Sequence, residues 1–243
     1  MIRLAVVIPA YNEAATIRDL AERTLRICAQ VIVVDDGSTD DTARTLDGLA
    51  VRLLRNDRNL GKAASLWRGA LEALTLGADV VVTMDGDGQH APEDIPRLIV
   101  AAEQNPGSIV IGARLADRSA IPKLRYFGNR VAVFWLSWAC GQRLEDSQSG
   151  FRVYPAELFR KVRISHDRQH GFVFESEILI EAARHGHRCV MVPIAAVYQA
   201  GGRASHFRQR DTLRIIRMVA WKLLSRGLYL QGFARAFLRR AGN

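Results

Sequence analysis

Two aspartates separated by one glycine, Asp85-Gly86-Asp87, close the apolar run Val80-Val81-Val82-Thr83-Met84 and lead into Gly88-Gln89-His90. Two carboxylates this close repel each other unless a cation sits between them. Oxygen-only donors suit a hard divalent ion such as Mg²⁺ or Mn²⁺, often with substrate phosphates completing its shell. Gln89 adds a neutral oxygen two residues on. Asp85, Asp87 and Gln89 are therefore candidate metal ligands. An EF-hand loop needs glycine at its sixth position and a carboxylate at its twelfth, and here those are His90 and Pro96. A plain Asp-Gly turn after a strand is the competing reading, and the rest of the chain must decide.

The elements that would position these acids follow from the pattern. A Val-rich run without polar alternation suits a buried strand in a sheet covered on both faces. Leu4 to Ile8, Val31 to Asp35, Val51 to Leu54 and Ile109 to Arg114 read the same way. Between them, helical spacing runs through Ile17, Leu20 and Leu25, with Asn12 as its expected cap. It recurs through Leu66, Ala70 and Leu74, and again from about Pro92. Strand–helix alternation at short spacing predicts an α/β fold with a mostly parallel sheet. Ligands of open α/β sheets bind beyond the carboxyl ends of the strands. Three strand ends carry polar groups there: Tyr11 and Glu13, Asp35 and Asp36, Asp85 and Asp87. Neither a Gly-x-Gly-x-x-Gly nor a Gly-x-x-x-x-Gly-Lys-Ser/Thr loop occurs. That points to a nucleotide held by side chains and a metal.

Five ordered segments carry a resemblance: Pro9-Ala10-Tyr11-Asn12-Glu13, Asp35-Asp36-Gly37-Ser38-Thr39-Asp40-Asp41-Thr42, Asn59-Leu60-Gly61-Lys62, Asp85 to His90, and Asp146-Ser147-Gln148-Ser149-Gly150-Phe151-Arg152. Together they resemble the motifs of family 2 glycosyltransferases of GT-A fold, most of all the dolichyl- and polyprenyl-phosphate sugar synthases. The resemblance spans roughly residues 4–200. It implies an inverting, metal-dependent transfer from a UDP- or GDP-sugar to a membrane lipid acceptor such as polyprenyl phosphate. By matching position, Pro9, Tyr11, Glu13 and Asp35 would line the base and ribose pocket, with Asp36 beside them. Asp85, Asp87 and Gln89 would hold the metal on the diphosphate. Arg114 and Arg125 would meet the acceptor phosphate, and Asp146 would lie near the acceptor as a possible base. Related mannose synthases often carry a Gly-x-Ser-Lys element where this chain has Ala204 to Arg208. Arg203, His206 and Arg208 are then candidate phosphate contacts.

The second half adds a helix from Pro122 to Cys140, with Leu124, Phe127, Val131, Phe134, Trp135 and Trp138 as its apolar side, read as core packing or as a wall for a lipid acceptor. A helix from Phe172 to Gly186 carries Glu175, and Cys189 to Ile194 reads as a last strand. From Arg203 the character changes: ten Lys and Arg face one acid, Asp211. Leu213, Ile216, Val219, Ala220 and Leu223 fall on one helical face, opposite Arg210, Arg214 and Arg217. Leu230, Phe233, Phe237 and Leu238 repeat the scheme. Such a cationic amphipathic tail reads as lying in a membrane interface or as packing on its own domain. The expected organisation is a glycosyltransferase domain over 1–202 and a tail over 203–243.

The 243 residues allow a large core, and 49% apolar with 24% charged residues is ordinary for a globular protein. The net charge of +9 favours an anionic partner. Nucleic acid is disfavoured, because the charge concentrates in the tail and strand-end acids would repel a polyanion. The three cysteines are far apart and suit a reducing compartment. No apolar segment approaches the ~20 residues of a spanning helix. Peripheral attachment at the cytoplasmic face of the inner membrane is the expected location. A sugar or lipid hydroxyl, in envelope polysaccharide or glycolipid assembly, remains the alternative acceptor.

Overall fold

In the computed structural model, residues 2–113, 123–147, 149–162, 164, 173–194 and 209–238 are described, with side chains from 130 and 214 onward in the helices that open at 123 and 209. The first half alternates as its apolar runs dictate: β1 (Leu4–Ala10), α1 (Ile17–Leu25), β2 (Val31–Asp35), β3 (Arg52–Arg55), α2 (Lys62–Thr75), β4 (Val80–Thr83), α3 (Ile95–Gln104) and β5 (Ile109–Ala113). The second half supplies α4 (Lys123–Cys140), β6 (Arg152–Pro155), α5 (Leu158–Lys161), α6 (Phe174–Arg184), β7 (Cys189–Pro193), α7 (Gln209–Leu224) and α8 (Leu230–Phe233).

The seven strands form one sheet in the order β3-β2-β1-β4-β6-β5-β7. All pairings are parallel except those of β6, which runs antiparallel between β4 and β5. The sequence pattern predicts no strand over β6. Its pairing sets Thr83 opposite Arg152, so the segment that precedes β6 lies at the carboxyl edge of β4, beside Asp85.

Strand alternation divides the core. Ala5 and Val7 of β1 face a layer built on α2, α4, α6 and α7, while Val6, Ile8 and Ala10 face a layer built on α1 and α3. This two-faced burial is why the central strands carry no polar alternation. It is a GT-A-like fold, mostly parallel and flanked by helices on both faces.

Two helices differ from the expected faces. On α4 the small side, with Ala132, Leu136, Ala139 and Cys140, enters the core, while Phe134 and Trp135 stay partly exposed. On α7 the core takes Ile215, Val219 and Leu223, and Ile216 faces outward. Lys222 fixes α7 to α6, pairing with Glu177 at 2.8 Å and with Glu181. Its apolar stripe is thus used by the protein itself. Among the described residues no helix is long and apolar enough to cross a membrane.

Candidate active site

The site is built from loops at the carboxyl edge of β1, β2 and β4, knitted by side chains. Asn12 adopts a left-handed conformation (φ 57°). It leaves the start of α1 to Thr16. Its Oδ1 instead accepts from the Thr39 amide at 2.9 Å, and its own amide donates to Ser38 Oγ at 2.9 Å. The Glu13 amide donates to Thr42 Oγ1 at 2.8 Å. Short polar side chains that bind nearby backbone suit such turns. Thr16 Oγ1 donates to the Gly86 carbonyl at 2.7 Å and so ties the entry of α1 to the Asp85–Asp87 loop.

Within this frame the expected donor-side residues are distributed unevenly. Pro9 is buried at the end of β1, Glu13 is half-buried, and Tyr11 is 41% exposed at the rim. Asp35 is fully buried. Its Oδ1 accepts from the Ser38 amide at 3.0 Å and its Oδ2 from Arg55 Nε at 3.2 Å. The Arg55 side chain is 64% exposed. Asp36 departs from expectation. Its Oδ1 accepts from Asn56 Nδ2 at 2.8 Å and the Leu60 amide at 2.9 Å, and its Oδ2 from the Gly61 amide at 2.8 Å. Three donors on a carboxylate 2% exposed hold the Asn59–Lys62 segment in place. The Asp36 carboxylate is thereby committed to that segment.

Asp85 and Asp87 are partly exposed. Asp87 Oδ1 accepts from the Gln89 amide at 3.0 Å. The Asp85 amide donates to Nδ1 of the buried His90 at 3.3 Å, and that ring packs 5.2 Å from Phe151. Asp85 Oδ1 lies 2.6 Å from Lys62 Nζ, which is also 2.6 Å from Glu175 Oε1. Burial alone would depress the Lys62 pKa, but Asp85 and Glu175 outweigh it and hold the ammonium well above its ordinary value. Lys62 and Glu175 thus join the edge acids to α6. The sequence pointed to the Asn59–Lys62 segment and to Glu175 separately, and nothing local couples positions 113 residues apart.

Gly150 explains why Asp85 fits. A Cβ there would stand 2.7 Å from Asp85 Oδ1, so only glycine lets the Asp146–Phe151 segment approach. Thr83 Oγ1 donates to the Gly150 carbonyl at 2.8 Å. Asp146 Oδ1 accepts from the Ser149 amide at 3.2 Å. The whole turn hangs on Arg152, which is fully buried and donates to the carbonyls of Ser147 (2.9 Å), Ser149 (2.7 Å) and Glu175 (2.8 Å) and to Tyr154 Oη (3.1 Å). Such a satisfied buried cation orders its surroundings and is costly to remove. Its role was not legible in the sequence, because three of its four acceptors are backbone atoms.

The donor set fits a divalent ion. Asp85, Asp87 and Gln89 offer only oxygens, Gly150 leaves Asp85 room, and two carboxylates with an amide leave positions for phosphate oxygens. No cluster of three or more His, Cys, Asp or Glu capable of holding a metal occurs among the described residues. A cleft of about 240 Å³ lined by Arg3, Asp79 and Arg160 lies at the opposite, amino edge. Arg3 and Asp79 there pair with each other at 2.8 Å. Arg114, Arg203 and His206 lie outside the described residues, as does the side chain of Arg125.

Sheet order, helix layers and edge loops together define a GT-A glycosyltransferase scaffold. The sequence pattern of glycosyl transferase family 2 matches residues 5–168. The chain is 31% identical over 203 residues to the polyprenol monophosphomannose synthase of Mycolicibacterium smegmatis, covering 79% of this chain and 76% of that one. It is 29% identical over 240 residues to the undecaprenyl-phosphate mannosyltransferase of Micrococcus luteus, covering 92% and 96%. Among solved structures, glucosyl-3-phosphoglycerate synthase from Mycobacterium tuberculosis, in complex with Mn²⁺, UDP and phosphoglyceric acid, superposes with a TM-score of 0.68 at 24% identity, over 93% of this chain and 78% of that one. The chain belongs to glycosyl transferase family 2 and is a glycosyltransferase.

Proposed function

We propose that this glycosyltransferase moves a sugar from a nucleoside diphosphate to polyprenyl phosphate at a membrane surface. The observation that carries the reading is the partly exposed carboxylate pair Asp85 and Asp87 at the carboxyl edge, with Lys62 as a fixed positive charge beside it. The acceptor is supported by the relatives, two of which are named for polyprenol or undecaprenyl phosphate and are matched over three quarters or more of their length.

In this reading Pro9, Tyr11, Glu13 and Asp35 hold the base and ribose, with Asp36 fixing the loop beneath them. Asp85, Asp87 and Gln89 would hold Mg²⁺ or Mn²⁺ on the diphosphate. That ion would supply positive charge against the leaving group. The chain's own residues place the reacting atoms. Lys62 keeps Asp85 and Glu175 in position and adds charge at the diphosphate end. Arg203 and His206 are assigned to the same phosphates. Arg114 and Arg125 are assigned to the acceptor phosphate. A phosphate oxygen attacks the anomeric carbon as its bond to the diphosphate breaks, and the nucleoside diphosphate leaves with the electron pair. The sugar centre passes through an oxocarbenium-like state, so placement and leaving-group stabilisation dominate. A lipid phosphate is already anionic near neutral pH, since its second pKa is about 6, and no general base is needed.

Asp146 separates this acceptor from a hydroxyl. Its contact with the Ser149 amide supports a loop-closing role. Asp146→Asn should keep turnover on polyprenyl phosphate within about threefold. A collapse by about 100-fold or more, the scale of a lost general base, would transfer the assignment to a hydroxyl acceptor. A screen of UDP- and GDP-sugars, with and without Mn²⁺, against polyprenyl phosphate and glycolipids identifies both substrates. The basic segment over 203–243 is assigned to the membrane side of the protein, at the cytoplasmic leaflet where anionic lipid attracts arginine.

A further inference from the structure

The C-terminal segment carries apolar surface that its own core does not use. Past α7, the turn Gly227–Tyr229, α8 and the π-turn Ala234–Leu238 fold back onto α4. The seat is tight. Trp138 Nε1 donates to the Tyr229 carbonyl at 3.2 Å, and Gly232 passes so close to the Tyr229 ring that a Cβ would lie 2.2 Å from it. On this seat Phe134 stacks on Phe237 at 5.0 Å and meets Trp135 edge-on at 5.6 Å. Phe134, Trp135 and Phe237 remain 40%, 37% and 38% exposed, and Leu230 and Leu238 on the same segment remain 69% and 72% exposed. A preformed, contiguous apolar face of this kind marks an interaction site.

Charge identifies the partner. Arg226, whose guanidinium covers the Tyr229 ring at 4.1 Å, and Arg235 are both exposed on this segment. No acidic residue occurs from 212 to the end of the chain. A second copy would set these arginines against themselves. An anionic bilayer instead accepts aromatic rings at headgroup level with arginines beside them.

We propose that the face formed by α4 and the C-terminal fold-back, with Trp135, Phe237, Leu230 and Leu238 as its apolar contacts and Arg226 and Arg235 as its charged ones, docks the protein on an anionic lipid surface. The inference rests on the membrane reading above and narrows it to the fold-back and α4, because Val219 and Leu223 of the α7 stripe are buried in the core. It also sets the surface along the helix that carries Arg125.

Sedimentation of the full chain with phosphatidylglycerol–phosphatidylcholine vesicles tests the proposal. Leu230→Ser with Leu238→Ser, both too exposed to threaten folding, should lower partitioning at least tenfold, and adding Phe237→Ser should lower it further. Arg226→Gln with Arg235→Gln should abolish the preference for anionic over neutral vesicles. Val100→Ser, half-exposed on α3 in the opposite layer, should leave partitioning unchanged. Unchanged partitioning in the double leucine variant overturns the proposal, as does an equal loss in the Val100 variant. Loss of a concentration-dependent dimer, with vesicle binding intact, would give the face to a second copy. Donor affinity measured without vesicles should stay within twofold in every variant. Its absence in the unaltered chain would sink the functional reading and leave the docking result standing.

Discussion

Two acidic loops sit at the same edge of the sheet and look alike in sequence. Asp35-Asp36-Gly37 follows β2, and Asp85-Gly86-Asp87 follows β4. They differ in how far the protein satisfies them. Asp36 is sealed and takes three protein donors, two of them backbone amides at the start of α2. Asp87 is open, and the hydrogen bond seen at its carboxylate is from the adjacent Gln89 amide. Asp85 stands between, partly exposed and held by Lys62. A carboxylate filled by internal donors organises structure, whereas one left partly open beside a fixed cation remains available to a ligand.

The comparison breaks or holds under substitution. Asp87→Ala should have the largest effect on function: loss of metal-dependent donor binding by 100-fold or more, read by titration calorimetry with and without Mn²⁺, with Tm within about 2 °C of the unaltered protein. Unchanged affinity would remove Asp87 from the site. Asp36→Ala should act in the opposite currency. It leaves buried amide donors unpaired at about 1–3 kcal/mol each, so Tm should fall by roughly 5–15 °C, while any residual activity keeps its metal dependence. Were Asp36→Ala to bind donor poorly at full stability, the contrast between the loops would be lost.

Lys62→Met probes the intermediate case. About tenfold weaker donor binding is expected, because Asp85 and Glu175 lose their shared cation. The pH dependence has a definite sign. A lysine held above its ordinary pKa contributes stability fully below the free-amine value of about 10.4. That share is lost as pH rises through the higher folded value. Melting curves between pH 7 and 9.5 should therefore show no step from Lys62, and alkaline destabilisation above that range should be reduced in the variant. The smallest effect is expected from Gly150→Ala, where a methyl 2.7 Å from Asp85 Oδ1 must push one group aside. Donor affinity should drop several-fold in the presence of Mn²⁺ with little change in Tm.

Much of the first half was legible because its signals are local. Val31 to Asp35 and Val80 to Thr83 are strands because β-branched runs suit a sheet buried on both faces, and acid–glycine turns end them. The second half was less legible for a physical reason. β6 is only four residues, Arg152–Pro155, too short to show a period, and its place between β4 and β5 depends on partners about 70 and 40 residues away. On α7 the expected Val219 and Leu223 are buried but Ile215 takes the place of Ile216, for a related reason. Leu213, Ile216 and Val219 fit a helical stripe as well as Ile215, Val219 and Leu223 do, and only contact with α4 and α6 selects between them.

The sequence alone determined the strand–helix alternation, the acids at the strand ends and the basic character of the tail, since each follows from neighbouring residues and the periods of the backbone. The tertiary structure alone decided that Asp36 is consumed internally, that Lys62 and Glu175 meet at Asp85, that Arg152 suspends the Asp146–Gly150 turn, and that Trp135 and Phe237 share one exposed face. Each of these depends on side chains brought together from distant parts of the chain, and a linear pattern carries no record of which donor reaches which acceptor first.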